Sequence, residues 1–319
     1  MRSSTWLDRW LWRRGVLDPA TPVRLNTHIL LGLVSLHLLA LLACVPWLFS
    51  WSGLAWAVAG LYLFGTLGIN IGYHRLLTHR GFSCPLWLEH GLAVLGACCF
   101  QGSPMSWVAM HRMHHQHSDE GGDPHSPRAG FWWSHMGWFL IDDPAVRNLS
   151  TYDRYARDLF QDRFYKALER PRVWLTVHRA QWAAFLTAGV LAGALSSGTV
   201  WGAARLGLSW LVWGVFVRTV AVWHITWSVN SVTHLWGYRN FATADDSRNN
   251  WLVGLISNGE GWHNNHHAEP RCPAHGRRWW ELDVSYLTIR AFQGLGLAWE
   301  LAPSRGRAPQ IPAERRPAA

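Results

Sequence analysis

Four long apolar segments constrain the fold more than any other feature of this chain. Residues 28–49 (HILLGLVSLHLLALLACVPWLF) carry no formal charge, and residues 53–72 are similar. Residues 180–201 and 207–230 repeat the pattern. A helix needs roughly 20 apolar residues to cross the hydrocarbon core of a bilayer, so each segment qualifies. Only a few residues separate the members of each pair, which predicts two helical hairpins. No small-residue cleavage site follows the first segment and a second span does, which argues against a removed signal peptide. The expected fold class is therefore an all-α integral membrane protein with four transmembrane helices. The mean hydropathy of −0.02 hides this split between apolar spans and wet segments dense in Arg and His.

The segments between the spans are distinctive. Residues 1–27 place Trp6 and Trp10, and Leu7 and Leu11, four apart among Arg9, Arg13 and Arg14, which reads as an interfacial helix. Residues 73–173 hold much of the charge. Within them Leu86–Phe100 is too short to span and is expected as a buried or re-entrant helix. Phe131, Trp132, Trp133 and Trp138 resemble an interfacial aromatic belt. The tail 303–319 is rich in Pro, Arg and Ala and is expected to be disordered. The N-terminal segment has five arginines, whereas the two turns near Ser50 and Ser197–Arg205 share one. By the positive-inside rule, both termini and the middle section face the cytoplasm. Arg218 and His224 fall inside the last span, where ionisable groups face the bundle interior; Arg218 serves equally well as an internal partner for a buried polar group.

The net charge is +9, with Lys166 the only lysine. That balance suits nucleic acid, anionic lipid or an acidic protein. No zinc-finger spacing, RNP-like signature or basic heptad is present, so no nucleic-acid partner is expected. Cys44, Cys84, Cys98, Cys99 and Cys272 form no CxxC pair and are odd in number, which indicates reduced packing residues.

Eighteen histidines are present, and nine of them fall in four clusters. These are His74-Arg-Leu-Leu-Thr-His79, His111-Arg-Met-His114-His115, Asn230-Ser-Val-Thr-His234 and His263-Asn-Asn-His266-His267. Residues three and four apart share a helix face, so His111, His114 and His115 point one way, as do His263, His266 and His267. His74 and His79 would sit about 140° apart on a regular helix. Either that helix ends between them, with Gly81 a plausible stop, or they serve different ions. Nine imidazoles exceed one coordination shell, so two metals are the economical reading. No carboxylate lies in any cluster, which disfavours Mg and Ca; imidazole suits Fe, Zn, Cu or Ni.

The order HxxxxH, HxxHH, NxxxH, HxxHH resembles the membrane fatty acid desaturases of the Δ9 acyl type, particularly bacterial relatives. The stretches HRMHHQHSDEGGDPHSPRAGFWWSHMGW from His111, NSVTHLWG from Asn230 and GEGWHNNHH from Gly259 carry the likeness further. The resemblance implies one desaturase domain over residues 28–302: a four-helix stem with a cytoplasmic helical cap holding a non-haem di-iron centre. The implied ligands are His74, His79, His111, His114, His115, His234, His263, His266 and His267, with Asn230 acting through a water. Arg75 and Arg80 match the family beside the first box, and with Trp107 and Trp262 they are expected at the substrate. The implied reaction is O₂-dependent formation of a cis double bond, most simply Δ9, in a long-chain saturated acyl group.

The implied carrier is lipid, CoA or acyl carrier protein. Positions that hold CoA in animal relatives read here as Gly102, Ala109 and Met110, then Asp142 and Asp143, and an acidic pair opposes a phosphate-bearing carrier. No bound haem, flavin or nicotinamide is expected, so electrons come from a separate donor such as a ferredoxin or cytochrome b5. The bacterial inner membrane is the expected location. Two other functions fit part of the pattern: an acyl or alkyl hydroxylase on the same scaffold, and a divalent-metal transporter. Transporter ligands lie near the bilayer midplane, whereas these clusters lie beyond the apolar spans.

Overall fold

The computed structural model describes residues 24–143 and 148–306. The expected interfacial helix over 1–27 and the tail from 303 fall almost entirely outside the described residues. Among the described residues there is no β-strand, only isolated bridges such as Leu25–Ile141. Four helices are long and apolar enough to cross a membrane: Thr27–Cys44, Trp51–Thr78, Pro171–Ser197 and Val200–Leu235. They form the two hairpins expected, and the fold is that of an all-α integral membrane protein.

The span boundaries differ from the apolar windows in a consistent way. The second helix runs past residue 72 to Thr78, the third begins at Pro171, and the fourth runs past 230 to Leu235. All three extra lengths lie on the side that carries the histidines. In the second and fourth helices these lengths are largely buried in protein, so an apolar sequence is no longer required there; in the third, residues 171–179 are mostly exposed and partly polar. The first helix is shorter than expected because it tightens at Leu41–Cys44 before Pro46.

Local chemistry explains the turns. Asn26 caps the first helix by accepting from Ile29 N–H at 3.1 Å. Ser50 caps the second through Gly53 N–H and also meets the Ser209 hydroxyl at 2.7 Å, tying the two hairpins together. The turn expected over Ser197–Arg205 is much tighter. Gly198 adopts φ 64°, Thr199 caps the next helix, and Arg205 already lies inside it. Its guanidinium donates to the carbonyls of Trp47 (3.0 Å) and Phe49 (2.8 Å) in the other hairpin.

The apolar run after Cys84 forms the short helix Leu86–Ala97, packed against the second span. Backbones touch there: a Cβ on Gly68 would lie 2.3 Å from Gly96 N. Small residues permit this approach, a common device between membrane helices. The remaining helices are Pro104–His117, shorter ones between Leu149 and Leu168, and Trp251–Ile256, His263–Ala268 and Val284–Gly294.

Candidate metal centre

Histidines from the four sequence clusters converge at one end of the spans and sort into two groups. One contains His74, His79, His111, His115 and His266; the other contains His114, His234, His263 and His267. Within each group, one ring nitrogen from every residue lies within 4.8 Å of the rest. Adjacent Nε2 atoms are nearer. In the first group they are 3.1 Å apart for His74–His266, 2.9 Å for His266–His115 and 3.1 Å for His115–His111. In the second they are 3.1 Å for His263–His234 and 3.0 Å for His263–His267.

This sorting cuts across the sequence boxes. On helix Pro104–His117, His111 and His115 enter the first group while His114 enters the second. On His263–Ala268, His263 and His267 enter the second while His266 enters the first. A helix face shared by i, i+3 and i+4 spans about 100°, wide enough to straddle two sites. His74 and His79 serve the same group, and the helix ends between them, at Thr78, with His79 as its cap. The backbone widens, with His79 N–H bonding to His74 O five residues back at 3.2 Å. Such π-type turns are frequent at functional sites and bring residues five apart onto one side; the two rings are 4.8 Å apart.

Four carboxylates stand behind the imidazoles. Glu260 accepts from His74 Nδ1 at 2.5 Å, Asp123 from His114 at 3.0 Å, Asp119 from His234 at 3.1 Å and Asp245 from His267 at 2.6 Å. Burial alone would raise the Glu260 carboxyl, but Arg75 and His74 outweigh it and keep it ionised. Burial likewise opposes ionisation of Asp123, and His114 and His125 outweigh it. An ionised carboxylate only accepts, so each paired imidazole carries its proton on Nδ1 and turns the Nε2 lone pair inward. Burial pushes His111, His115, His263 and His266 well below the ordinary histidine range, and His267 to about 4 despite Asp245. Neutral imidazoles are the form that binds metal.

This donor set fits metal ions. Lone pairs facing one another at about 3 Å repel unless a cation lies among them. Nε2 ligands about 2.0–2.1 Å from an ion, at right angles, would be spaced by about 3 Å. The Nε2 atoms of His79 and His114 are also buried with no hydrogen-bond partner among the described residues.

The four residues expected at the substrate fare differently. Trp107 lines a cavity beside the histidines. Arg75 does not: it is 1 % exposed and spent on Glu260 (2.8 Å), Asp283 (3.0 Å) and the Pro273 carbonyl (2.6 Å). It anchors the carboxylate that orients His74. Arg80 turns away to Asp158 at 2.8 Å and Glu89 at 3.3 Å. Trp262 is buried, with its indole N–H on the Leu282 carbonyl at 2.8 Å. Sequence reasoning missed Glu260, Asp119, Asp123 and Asp245. Glu260, Asp119 and Asp123 lie in the motif stretches quoted above, but Glu260 and Asp119 are far in sequence from the imidazoles they orient.

The cavity has a volume of about 630 Å³. His74, His111, His263, Glu260 and Asn230 line it at the histidine clusters, Leu33, Leu36, Trp223 and Trp227 line it within the spans, and Phe100 lines it from the turn after Leu86–Ala97. Gln101 bridges its wall, donating to the Thr226 hydroxyl at 3.0 Å and accepting from the Trp107 indole at 3.4 Å. His28, Pro171 and Trp174, at the starts of the first and third spans, also border it. An apolar cavity with a few fixed polar groups is the usual form of a small-molecule site.

Comparison with known proteins agrees with this architecture. The fatty acid desaturase family model matches residues 47–293. The chain is 44 % identical over 269 residues (84 % of this chain, 87 % of the relative) to a Nostoc sn-2 palmitoyl-lipid 9-desaturase. It is 41 % identical over 273 residues (86 % and 91 %) to an Anabaena variabilis sn-1 stearoyl-lipid 9-desaturase. A Synechocystis sn-1 stearoyl-lipid 9-desaturase is 40 % identical over 267 residues (84 % and 77 %). With its four apolar helices, its histidine boxes and this extent of likeness, the chain belongs to the fatty acid desaturase family.

Proposed function

We propose that the protein is an O₂-dependent acyl-lipid desaturase that places a cis double bond, at Δ9, in a long saturated chain carried on a membrane glycerolipid. The observation that carries this is the cavity joining the apolar interior of the spans to both histidine groups. The names of the relatives supply the carrier class and the position.

Iron is the proposed metal. His74, His79, His111, His115 and His266 would hold one ion. His114, His234, His263 and His267 would hold the other, with Asn230 acting through a water. When bound, the two ions supply an oxidant derived from O₂ that is strong enough for an unactivated C–H bond. The balance requires two electrons and two protons besides O₂: a CH₂–CH₂ pair becomes CH=CH and two waters leave. The chain's own residues do the rest. Trp223, Trp227, Phe100 and Leu36 exclude water and hold the alkyl chain. The Gln101–Thr226 bridge fixes its path past Trp107. Glu260, Asp119, Asp123 and Asp245 hold protons at Nδ1 of His74, His234, His114 and His267, so that these four Nε2 atoms face the two metal sites.

Ala109 is fully buried, which removes one position that would touch a soluble CoA carrier and favours lipid. The electrons come from an acidic one-electron carrier, a ferredoxin or cytochrome b5 type, attracted to the arginine-rich surface. The arginine distribution supports an inner-membrane location with termini and histidines in the cytoplasm. Expression in a host without unsaturated fatty acids, followed by gas chromatography and mass spectrometry of its lipids, tests the reading. Monounsaturated chains are expected; hydroxylated chains would replace the reading with that of a hydroxylase.

A further inference from the structure

The cavity opens on the side of the spans, and that opening decides how a substrate arrives. Among the described residues that line it, only His28, Gly32 and Pro171 are exposed. Every lining residue from outside the four spans is buried or half-buried. On the first span His28, Gly32 and Leu36 recur at i, i+4 and i+8 and share one face. The first two are exposed, whereas Leu36 is 6 % exposed. On the third span Pro171, Trp174 and His178 recur at i, i+3 and i+7, and they pass from exposed through half-buried to 5 % exposed. Both faces therefore open at the histidine end of the spans and close within about 12 Å. Below that depth Leu36, Trp182 and Phe216 join one apolar cluster.

Helix packing leaves a slot between these two faces. The first span packs against the fourth and against Trp138–Leu140, and the third packs against the fourth; the first and third do not pack closely on each other. The slot faces the bilayer. Around Gly32 the first span exposes Leu31, Val34 and Leu38, an apolar surface that lipid covers. Beside Trp174, Arg170, Arg172 and Arg179 are exposed. Arginine and tryptophan together mark the headgroup level. Gly32 lies about 6 Å deeper in its span than His28, so the slot runs from the headgroups into the acyl region. A Cβ on Gly32 would meet no heavy atom within 4 Å, so the space in front of it is open.

We infer that the slot between His28–Gly32 and Pro171–Trp174 is a lateral portal, through which one acyl chain of a bilayer glycerolipid enters the cavity while the headgroup stays in the leaflet. Gly32, with no side chain, sets the width of the portal. The inference rests on the acyl-lipid reading above and adds the route. A water-borne carrier would need an exposed lining residue outside the spans, and the described residues offer none.

Photo-crosslinking reads the route without metal or turnover. The full-length protein in bilayers would be given phosphatidylcholine with a diazirine at the methyl end of one saturated chain. Peptide mass spectrometry should find label on the buried cavity residues Leu36, Trp223 or Trp227, besides the lipid-facing Leu31 and Leu38. Gly32→Trp, which the open space admits, should remove the interior label and keep the lipid-facing label. The same variant should lower kcat/KM on the glycerolipid by about tenfold. Leu31→Trp, on exposed surface outside the cavity, should change neither. If Gly32→Trp does not fold, Gly32→Leu should show the same losses in weaker form. No interior label in the wild type, or interior label and turnover both kept in a folded Gly32→Trp protein, would overturn the portal, while lipid conversion by the wild type would still uphold the desaturase reading. Interior label without conversion by the iron-loaded wild type would support the portal and count against that reading.

Discussion

Replacing Asp245 by asparagine should weaken one metal site and spare the other. Asp245 Oδ2 accepts from His267 Nδ1 at 2.6 Å. Its Oδ1 accepts from the Thr243 hydroxyl (2.7 Å), the Ser247 N–H (3.1 Å) and the Ser247 hydroxyl (2.5 Å). Three donors hold Oδ1 as oxygen, so in Asp245→Asn the new N–H₂ must face His267 Nδ1. Two donors then oppose each other. The clash is relieved if His267 moves its proton to Nε2, the atom that lies 3.0 Å from His263 Nε2. That step removes one of the four inward lone pairs of the second group, while the five of the first are untouched. Loss of such an orienting partner typically costs 10–100-fold in metal affinity, or about 1.4–2.7 kcal/mol. Competition titration against a chromogenic chelator should resolve one site of wild-type affinity and one weakened by that factor. Asp246→Asn is the control, since its half-exposed carboxylate pairs with Arg128 on the surface. Two sites of unchanged affinity, or equal weakening of both, would refute the argument from tautomers.

Three further outcomes follow from the same geometry. His263→Ala and His114→Ala should each abolish unsaturated product while membrane insertion persists, as read by lipid analysis and fractionation. The metal-free protein should lose stability as pH falls below about 6.5. His115, His263 and His266 have folded-state pKa values lowered by burial, so below the unfolded-state value the unfolded chain binds more protons; unfolding midpoints between pH 7.5 and 5.5 check the sign, and bound metal should flatten the curve. Gly68→Ala should destabilise by about 1–3 kcal/mol through overpacking, because its Cβ would lie 2.3 Å from Gly96 N; a chemical denaturation series would measure it.

What the sequence reveals here depends on how local each signal is. Apolar runs and histidine spacings are local, so the two hairpins and the nine clustered histidines can be read from them directly. The sorting of those histidines is not local. His114 parts from His111 and His115 because two sites lie on either side of one helix face. His79 joins His74 because the backbone widens by one residue, which no propensity announces. The orienting carboxylates are more distant still: Glu260 reaches back 186 residues to His74 and Asp119 reaches 115 residues to His234. Arg75 looks like a substrate contact beside the first box, yet a charged residue so placed can equally be the buried anchor of Glu260.

Intact-lipid mass spectrometry tests the central claim most directly. Purified, iron-loaded protein in bilayers would be given a saturated glycerolipid, O₂ and a reduced one-electron donor. The account predicts that the unhydrolysed lipid becomes two hydrogens lighter, with the double bond at Δ9, and only when iron is present. A product heavier by one oxygen, or turnover confined to acyl-CoA with the glycerolipid unchanged, would contradict it.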